Sequence, residues 1–125
     1  MTLDMRQIIF RGKFHDWWVF GDLEVNRVDE RTLIHTYDDY DDNKRYHRQY
    51  DVRADTVGQF TGIYDKFGTA IYEGDIVRTN KYVTSVIYHE AGFRLQVIDN
   101  KKISPLYMRG ELEVIGNIYD DEQLV

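Results

Sequence analysis

The stretch TVGQFTGIYDKFGTAIYEGDIVR, Thr56–Arg78, decides the fold class of this sequence. Its apolar residues come in short runs, and each run ends near a glycine or an acidic residue. Within it, DKFG has Asp65 at the first and Gly68 at the fourth position, which is the favoured pattern of a type I turn. We therefore predict a β-hairpin that joins Phe60–Tyr64 to Thr69–Tyr72.

Short strands and turn signals continue on both sides of this hairpin, with turns about every eight to twelve residues. Glu73-Gly74-Asp75 predicts a second turn, and a break in alternation at Gly21-Asp22 predicts a bulge or a tight bend. Further strands are predicted over Arg6–Gly12, Trp17–Val25, Arg31–Tyr37, Lys44–Val52, Ile76–Asn80, Val83–His89, Phe93–Ile98 and Leu112–Tyr119. No helix of three turns is predicted. The pattern indicates an all-β protein, a small and strongly bent sheet that closes into a barrel-like fold.

Length and composition place these strands in one small domain, residues 1–125. The absence of cysteine excludes disulfides, a thiolate nucleophile and a Cys-ligated zinc site, and it suits a reducing cytosol. No apolar run reaches the roughly 18 residues that a membrane span needs. The first eleven residues also lack the apolar stretch of a signal peptide. We therefore expect a cytoplasmic location and no membrane partner.

The formal net charge of −6 argues against a general phosphate-binding surface, because nonspecific nucleic-acid binding depends on neutralising phosphates. A basic segment nevertheless interrupts the acidic chain. Its cations alternate with Tyr46 and Tyr50, and they are Lys44, Arg45, Arg48 and Arg53. Such an arrangement can bind single-stranded nucleic acid. The favoured interpretation is a solvated strand that balances the acidic run before it.

Acidic residues beside glycines allow two interpretations. In the favoured one, glycines supply unusual backbone angles and carboxylates accept hydrogen bonds from turn amides. The residues predicted to have this structural role are Gly21, Asp22, Asp65, Gly68, Gly74 and Asp75. The alternative is a metal-assisted hydrolase that uses Asp65, Glu73 and Asp75, or the loop Asp38–Asp42.

Known metal-binding patterns do not fit the sequence. An EF-hand loop beginning at Asp39 would need Gly in its sixth place and Glu in its twelfth, where Lys44 and Tyr50 stand. The acidic run Asp38–Asn43 is therefore predicted to be a solvated loop. No two of the four histidines, His15, His35, His47 and His89, have the i, i+4 spacing of a helical zinc motif. We predict no metal and no cofactor.

Two adjacent tryptophans are candidates for a partner-binding surface. Trp17 and Trp18 must point to opposite faces of a strand, so we expect one in the core and the other exposed as an anchor. With Tyr46 and Tyr50 they form the predicted partner-binding set.

Three blocks of sequence resemble the YopX family of small bacteriophage and prophage proteins. They are FRGK (Phe10–Lys13) before WVFGDL (Trp18–Leu23), then TVGQFTGIYDKFGTAIYEGDIV (Thr56–Val77), then EVIGNIYDD (Glu113–Asp121) followed by Leu124. The resemblance implies an all-β, barrel-like fold and a phage or prophage origin, but no activity. Asp29–Asp55 fits the family least well and is interpreted as a variable acidic insert.

The predicted function is a noncatalytic accessory role, because no catalytic constellation is recognised in the sequence. The protein would act through contact with an unknown protein or through self-assembly, as a homo-oligomer. Two alternatives stay open: a nucleic-acid-binding β-barrel, and the metal-assisted hydrolase.

Overall fold

The computed structural model describes residues 6–41, 44–106 and 111–125, apart from the side chains of residues 38–46. The described residues form antiparallel β-strands and two three-residue 3₁₀ helices, Ala54–Thr56 and Glu122–Leu124, so the predicted all-β class is confirmed. Neither helix has the length that a membrane-crossing helix requires, and no other helix occurs in the described residues. The strands are β1 (Phe10–Phe14), β2 (Trp17–Asn26), β3 (Arg31–Asp41), β4 (Lys44–Asp51), β5 (Gly58–Tyr64), β6 (Ala70–Tyr72), β7 (Asp75–Arg78), β8 (Val83–His89), β9 (Gly92–Val97), β10 (Ile103–Pro105) and β11 (Glu113–Asn117).

The chain forms two compact units, Met1–Gln59 and Phe60–Val125, and the boundary between them falls inside β5. In the first unit, β1 to β4 follow one another as antiparallel neighbours. The first two residues of β5 pair with β1 in the same unit.

The long strand β2 changes partner at Gly21-Asp22. Residues up to Gly21 pair with β1, and residues from Asp22 onward pair with β3. Both registers are regular, so the predicted irregularity is a change of partner and not a bulge. A Cβ atom on Gly21 would lie 2.0 Å from the carbonyl oxygen of His35, so only glycine allows this close approach.

Packing in the first unit is built on side chains from both faces of β3 and on the segment after β4. Leu33 and Ile34 are both buried. Val52 packs against Gly12, where a Cβ would meet the methyl group of Val52 at 2.9 Å.

The buried Thr56 hydroxyl accepts from the amide of Lys13 at 2.9 Å and donates to the carbonyl of Arg53 at 2.6 Å. These contacts tie the first 3₁₀ helix to β1.

In the second unit, the rest of β5 pairs with β6, and the other strands form a sheet in the order β10-β9-β8-β7-β11. The apolar core of the second unit consists of Ile71, Val77, Val86, Leu95 and Leu112. Among the described strands, β10 and β11 each have one neighbour. This sheet is therefore not a closed barrel, and the predicted barrel closure is not found.

Two predicted boundaries at the start of the chain are wrong. The first strand, predicted over Arg6–Gly12, is Phe10–Phe14, because pairing of Lys13 and Phe14 with β2 continues the strand past Gly12. In the predicted acidic loop Asp38–Asn43, residues 38–41 belong to β3, and residues 42–43 lie outside the described part of the chain. There the backbone of Asp39 is in register with that of Arg45, so strand pairing continues past the predicted strand end at Tyr37.

In the second unit, the observed strand ends differ from the predicted ones where polar side chains form turns. Thr79 ends β7 because its hydroxyl accepts from the amides of Lys81 and Tyr82. Asn117 ends β11 because its side-chain oxygen accepts from Tyr119 and Asp120 amides. The short strand β10 was not predicted, since it contains the single proline, which is tolerated at a sheet edge.

Candidate functional site

Trp17 is the most exposed aromatic side chain of the first unit among the described residues, with 73% of its surface accessible. It begins β2 directly opposite Phe14. The Phe14 ring meets the Tyr50 ring edge-on, with 5.2 Å between the ring centroids. Phe14 is thus the register partner of Trp17 and a ring contact of Tyr50, two of the predicted partner-binding residues, and we call these three residues the aromatic patch.

Trp18 has a different environment from its neighbour. It is half-buried, with the guanidinium carbon of Arg11 4.5 Å and the ammonium of Lys13 5.3 Å from its ring centre. Both cationic side chains are themselves buried. Cations stacked on an indole ring stabilise it through the ring quadrupole, so Trp18 is part of the packing of β1 on β2.

The remaining partner-binding and basic candidates are only partly described. The side chains of Tyr46, Lys44 and Arg45 lie outside the described residues, as do those of Asp38–Asp42. Arg48 is exposed on β4, and Arg53 is exposed in the segment that follows it.

Asp65 organises the β5–β6 hairpin. One carboxylate oxygen accepts from the amides of Phe67 at 2.9 Å and Thr69 at 2.8 Å, and the other accepts from the amide of Val114 at 2.9 Å. Gly68 completes this turn with a φ of 82°. Burial acts to raise the pKa of Asp65, but the amide hydrogen bonds and the charge of Lys66 outweigh it and hold that pKa below its ordinary value.

The second turn uses Gly74 and Asp75 in a similar way. The buried Asp75 carboxylate accepts from the amide of Tyr72 at 2.7 Å, while Gly74 has a φ of 93° and lies beneath the ring of Tyr119. Glu73, which precedes Gly74, is half-buried. Asp22, by contrast, is exposed on β2. Each of the two buried carboxylates thus holds backbone amides of a turn.

A hydrogen-bonded group of ionisable side chains crosses β2, β3 and β4. His35 is placed between Glu24, with 2.7 Å from its Nε2 to the Glu24 Oε1, and His47, with 2.7 Å from its Nδ1 to the His47 Nε2. The ring of Tyr37 lies parallel to that of His47 at 4.9 Å. We call Glu24, His35 and His47 the histidine relay.

Sequence reasoning missed the histidine relay because it looked for ligands at short spacings along the chain. His35 and His47 are twelve residues apart and meet diagonally across the β3–β4 pair, in which Tyr37 is opposite His47. Pairing the predicted strands Arg31–Tyr37 and Lys44–Val52 so that Tyr37 is opposite His47 would have brought the two histidines together. Among the described residues, no three His, Asp or Glu side chains are arranged to hold a metal ion.

A shallow pocket in the second unit has no ionisable cluster of this kind. Its volume is about 330 Å³, and its floor is formed by Leu95 and Leu112. The turn Thr79–Tyr82 and residues Ser104, Pro105 and Glu111 form its walls.

Comparison with known proteins gives one family. A family model described as YopX protein matches residues 9–125, nearly the whole chain and all three motif blocks. No curated protein matches the chain.

Proposed function

Because this chain belongs to the YopX protein family, we propose that it is a noncatalytic accessory protein of a bacteriophage or prophage. It acts in the cytoplasm of the host bacterium, through contact with a partner protein or with a second copy of itself. The observation that carries this proposal is the exposure of Trp17, at 73%, in a structured part of the first unit.

The aromatic patch has the features of an interface anchor. Tryptophan and tyrosine are enriched among residues that dominate binding energy, because they bury much apolar area with few rotatable bonds. Trp17 starts a strand and is paired with Phe14, so its backbone is ordered before a partner arrives. Binding on such a preformed surface loses little conformational entropy.

The buried carboxylates support the noncatalytic interpretation over a hydrolase. Asp65 and Asp75 direct their oxygens at backbone amides, those of their own turns and, for Asp65, also that of Val114 in β11, at distances of 2.7 to 2.9 Å. Carboxylates used in this way stabilise a turn.

An affinity pull-down tests the proposal. The tagged protein is recovered from phage-carrying bacteria with and without nuclease, and co-purifying proteins are identified by mass spectrometry. The test variant is Trp17→Ala. The matched control is Phe67→Ala, which removes an aromatic side chain of similar exposure, 71%, from the second unit.

We expect a partner protein that still co-purifies after nuclease treatment. It should be absent from the Trp17→Ala pull-down and present in the Phe67→Ala pull-down. If self-association is the relevant contact, sedimentation of the purified protein will show an oligomer that Trp17→Ala dissociates. Retention that disappears with nuclease would favour the nucleic-acid alternative and its residues Lys44, Arg45, Arg48 and Arg53. Unchanged partners and oligomeric state in Trp17→Ala would contradict the proposal.

A further inference from the structure

The histidine relay has a geometry that fixes which imidazole nitrogens carry protons. The Glu24 carboxylate can only accept a hydrogen bond, so the Nε2 of His35, at 2.7 Å, must be the donor. In the neutral ring this leaves a lone pair on the Nδ1 of His35. That lone pair faces the Nε2 of His47 at 2.7 Å.

The two rings meet edge to edge. Their planes differ by 10°, and the facing nitrogens, at 2.7 Å, are much closer together than the ring centroids, at 4.9 Å. The lone pair of one ring therefore lies near the plane of the other. Two imidazole nitrogens that converge in this way can share either a proton or a metal ion.

We propose that the Nδ1 of His35 and the Nε2 of His47 bind a divalent transition-metal ion such as Zn²⁺. On binding, His47 changes tautomer: its proton leaves Nε2 and Nδ1 is protonated from solvent, so both facing nitrogens offer lone pairs to the metal. Zinc–nitrogen bonds of about 2.0–2.1 Å in a tetrahedral site require the two nitrogens to separate to roughly 3.3 Å. The two nitrogens, which now point nearly straight at each other, must also turn towards one metal position, and the exposed His47 side chain can make this rotation.

Glu24 has the role that carboxylates have behind metal-bound histidines. Its hydrogen bond to the Nε2 of His35 fixes the ring orientation and raises the basicity of the opposite nitrogen. The ring of Tyr37, nearly parallel to that of His47, packs against one face of the second ligand.

Carboxylates on β2 accompany the histidine pair, the basic segment flanks His47 on β4, and the coordination is left open. Asp22 is in register with His35, and Glu24 adds a second carboxylate on these strands. The described residues supply no third His, Asp or Glu ligand, so water completes the coordination shell. With two protein ligands the site has one fewer than the three of typical catalytic zinc sites, so we expect weaker binding that exchanges readily.

Calorimetric titration of tag-free protein with ZnCl₂ and NiCl₂ tests the proposal, with MgCl₂ as the ion that should not bind. The variants are His47→Gln, which removes a ligand, and Glu24→Gln, which keeps both ligands but weakens the orienting hydrogen bond. The matched control is His89→Gln, because His89 is an exposed histidine beside a glutamate, 3.7 Å from Glu90, in the second unit. Circular dichroism checks that each variant is folded.

We expect one equivalent of zinc to bind the wild type and His89→Gln equally. Binding is lost in His47→Gln, and it is weakened about 10- to 100-fold in Glu24→Gln, as is usual when such a supporting carboxylate is changed. Absence of zinc binding in the wild type would overturn the proposal. So would equal binding by folded His47→Gln, or an equal loss in His89→Gln.

Discussion

Asp65 binds three backbone amides, two of them close to it in the sequence and one 49 residues away. Two of them, from Phe67 and Thr69, belong to its own hairpin, and the third, from Val114, belongs to the start of β11. A single carboxylate thus joins a local turn to a distant strand of the second unit. The sequence predicted the local turn from DKFG, but the link to Val114 depends on tertiary packing.

Replacement of this carboxylate should therefore reduce stability. In Asp65→Asn the amide nitrogen cannot accept, so at least one buried backbone N–H loses its partner. We expect the free energy of unfolding at neutral pH to fall by about 2 kcal/mol, the usual cost of losing a buried hydrogen bond to a charged group. Denaturant titration measures this change. Asp99→Asn, at an exposed aspartate, is the control and should have little effect.

The effect of Asp65→Asn should also depend on pH. The folded-state pKa of Asp65 is lowered, so its ionised form stabilises the fold above the ordinary pKa of aspartate. That stability is lost as the pH falls from about 3.9 towards the lower pKa of the folded state. The difference in free energy of unfolding between wild type and Asp65→Asn should therefore become smaller in acid. A constant difference from neutral pH down to strong acid would contradict the role assigned to this carboxylate.

The histidine relay shows why a site can be invisible in the sequence. Each histidine alone resembles an ordinary strand residue, and no short spacing connects His35 to His47. Their contact follows from the β3–β4 register, which depends on β3 continuing to Asp41. The sequence instead suggested an acidic loop there. An incorrect loop boundary therefore concealed the contact between the two histidines.

Among the elements, the predicted strand ends differ from the structure at β7 and β11, where the side chains of Thr79 and Asn117 form turns, and agree with it at β8. The bounds predicted for Val83–His89 agree with those of β8. The following turn is less obvious, since Glu90 and Ala91 both have positive φ, of 50° and 61°, without being glycine. Arg94 donates from its side chain to the carbonyls of His89 and Glu90, which stabilises this turn. The conformational preferences of Glu90 and Ala91 alone do not reveal that hydrogen bonds from Arg94 stabilise their positive φ angles.

The glycines in the turns before and after β6, Gly68 and Gly74, allow a test of steric fit. Gly68 and Gly74 both have positive φ, so alanine strains the backbone at either position by about 1 kcal/mol. Only at Gly74 would the new Cβ also press on a ring, 3.0 Å from the Cε2 of Tyr119. We expect Gly74→Ala to lower the midpoint of chemical unfolding more than Gly68→Ala does. Equal shifts would show that the Tyr119 ring moves away at no cost.

For the molecule as a whole, the boundary between the two units falls within a strand. Gln59 ends one unit and Phe60 begins the other, and both lie in β5. Domain boundaries normally fall in flexible linkers, which are rich in proline, glycine or polar residues. That the chain behaves as one folding domain, as its length predicts, is therefore a prediction to be tested.

Unfolding measured by two signals tests that expectation. Trp17 and Trp18 are the only tryptophans of the chain, and both belong to the first unit, so their fluorescence reports on that unit alone. Far-ultraviolet circular dichroism reports on strands of both units. If the chain is one cooperative domain, the two signals should change at the same denaturant concentration. Separate midpoints would mean that the units unfold independently.

The position of β4 has a consequence for aggregation. Among the described strands, β4 pairs only with β3, so its second edge is not hydrogen-bonded to another described strand. Exposed edges of this kind can recruit strands from other chains, and lysine or arginine residues on them oppose such pairing. The residues Lys44, Arg45 and Arg48 give β4 this character. The basic segment would thus act as a gatekeeper against fibril growth and keep any self-association away from this edge.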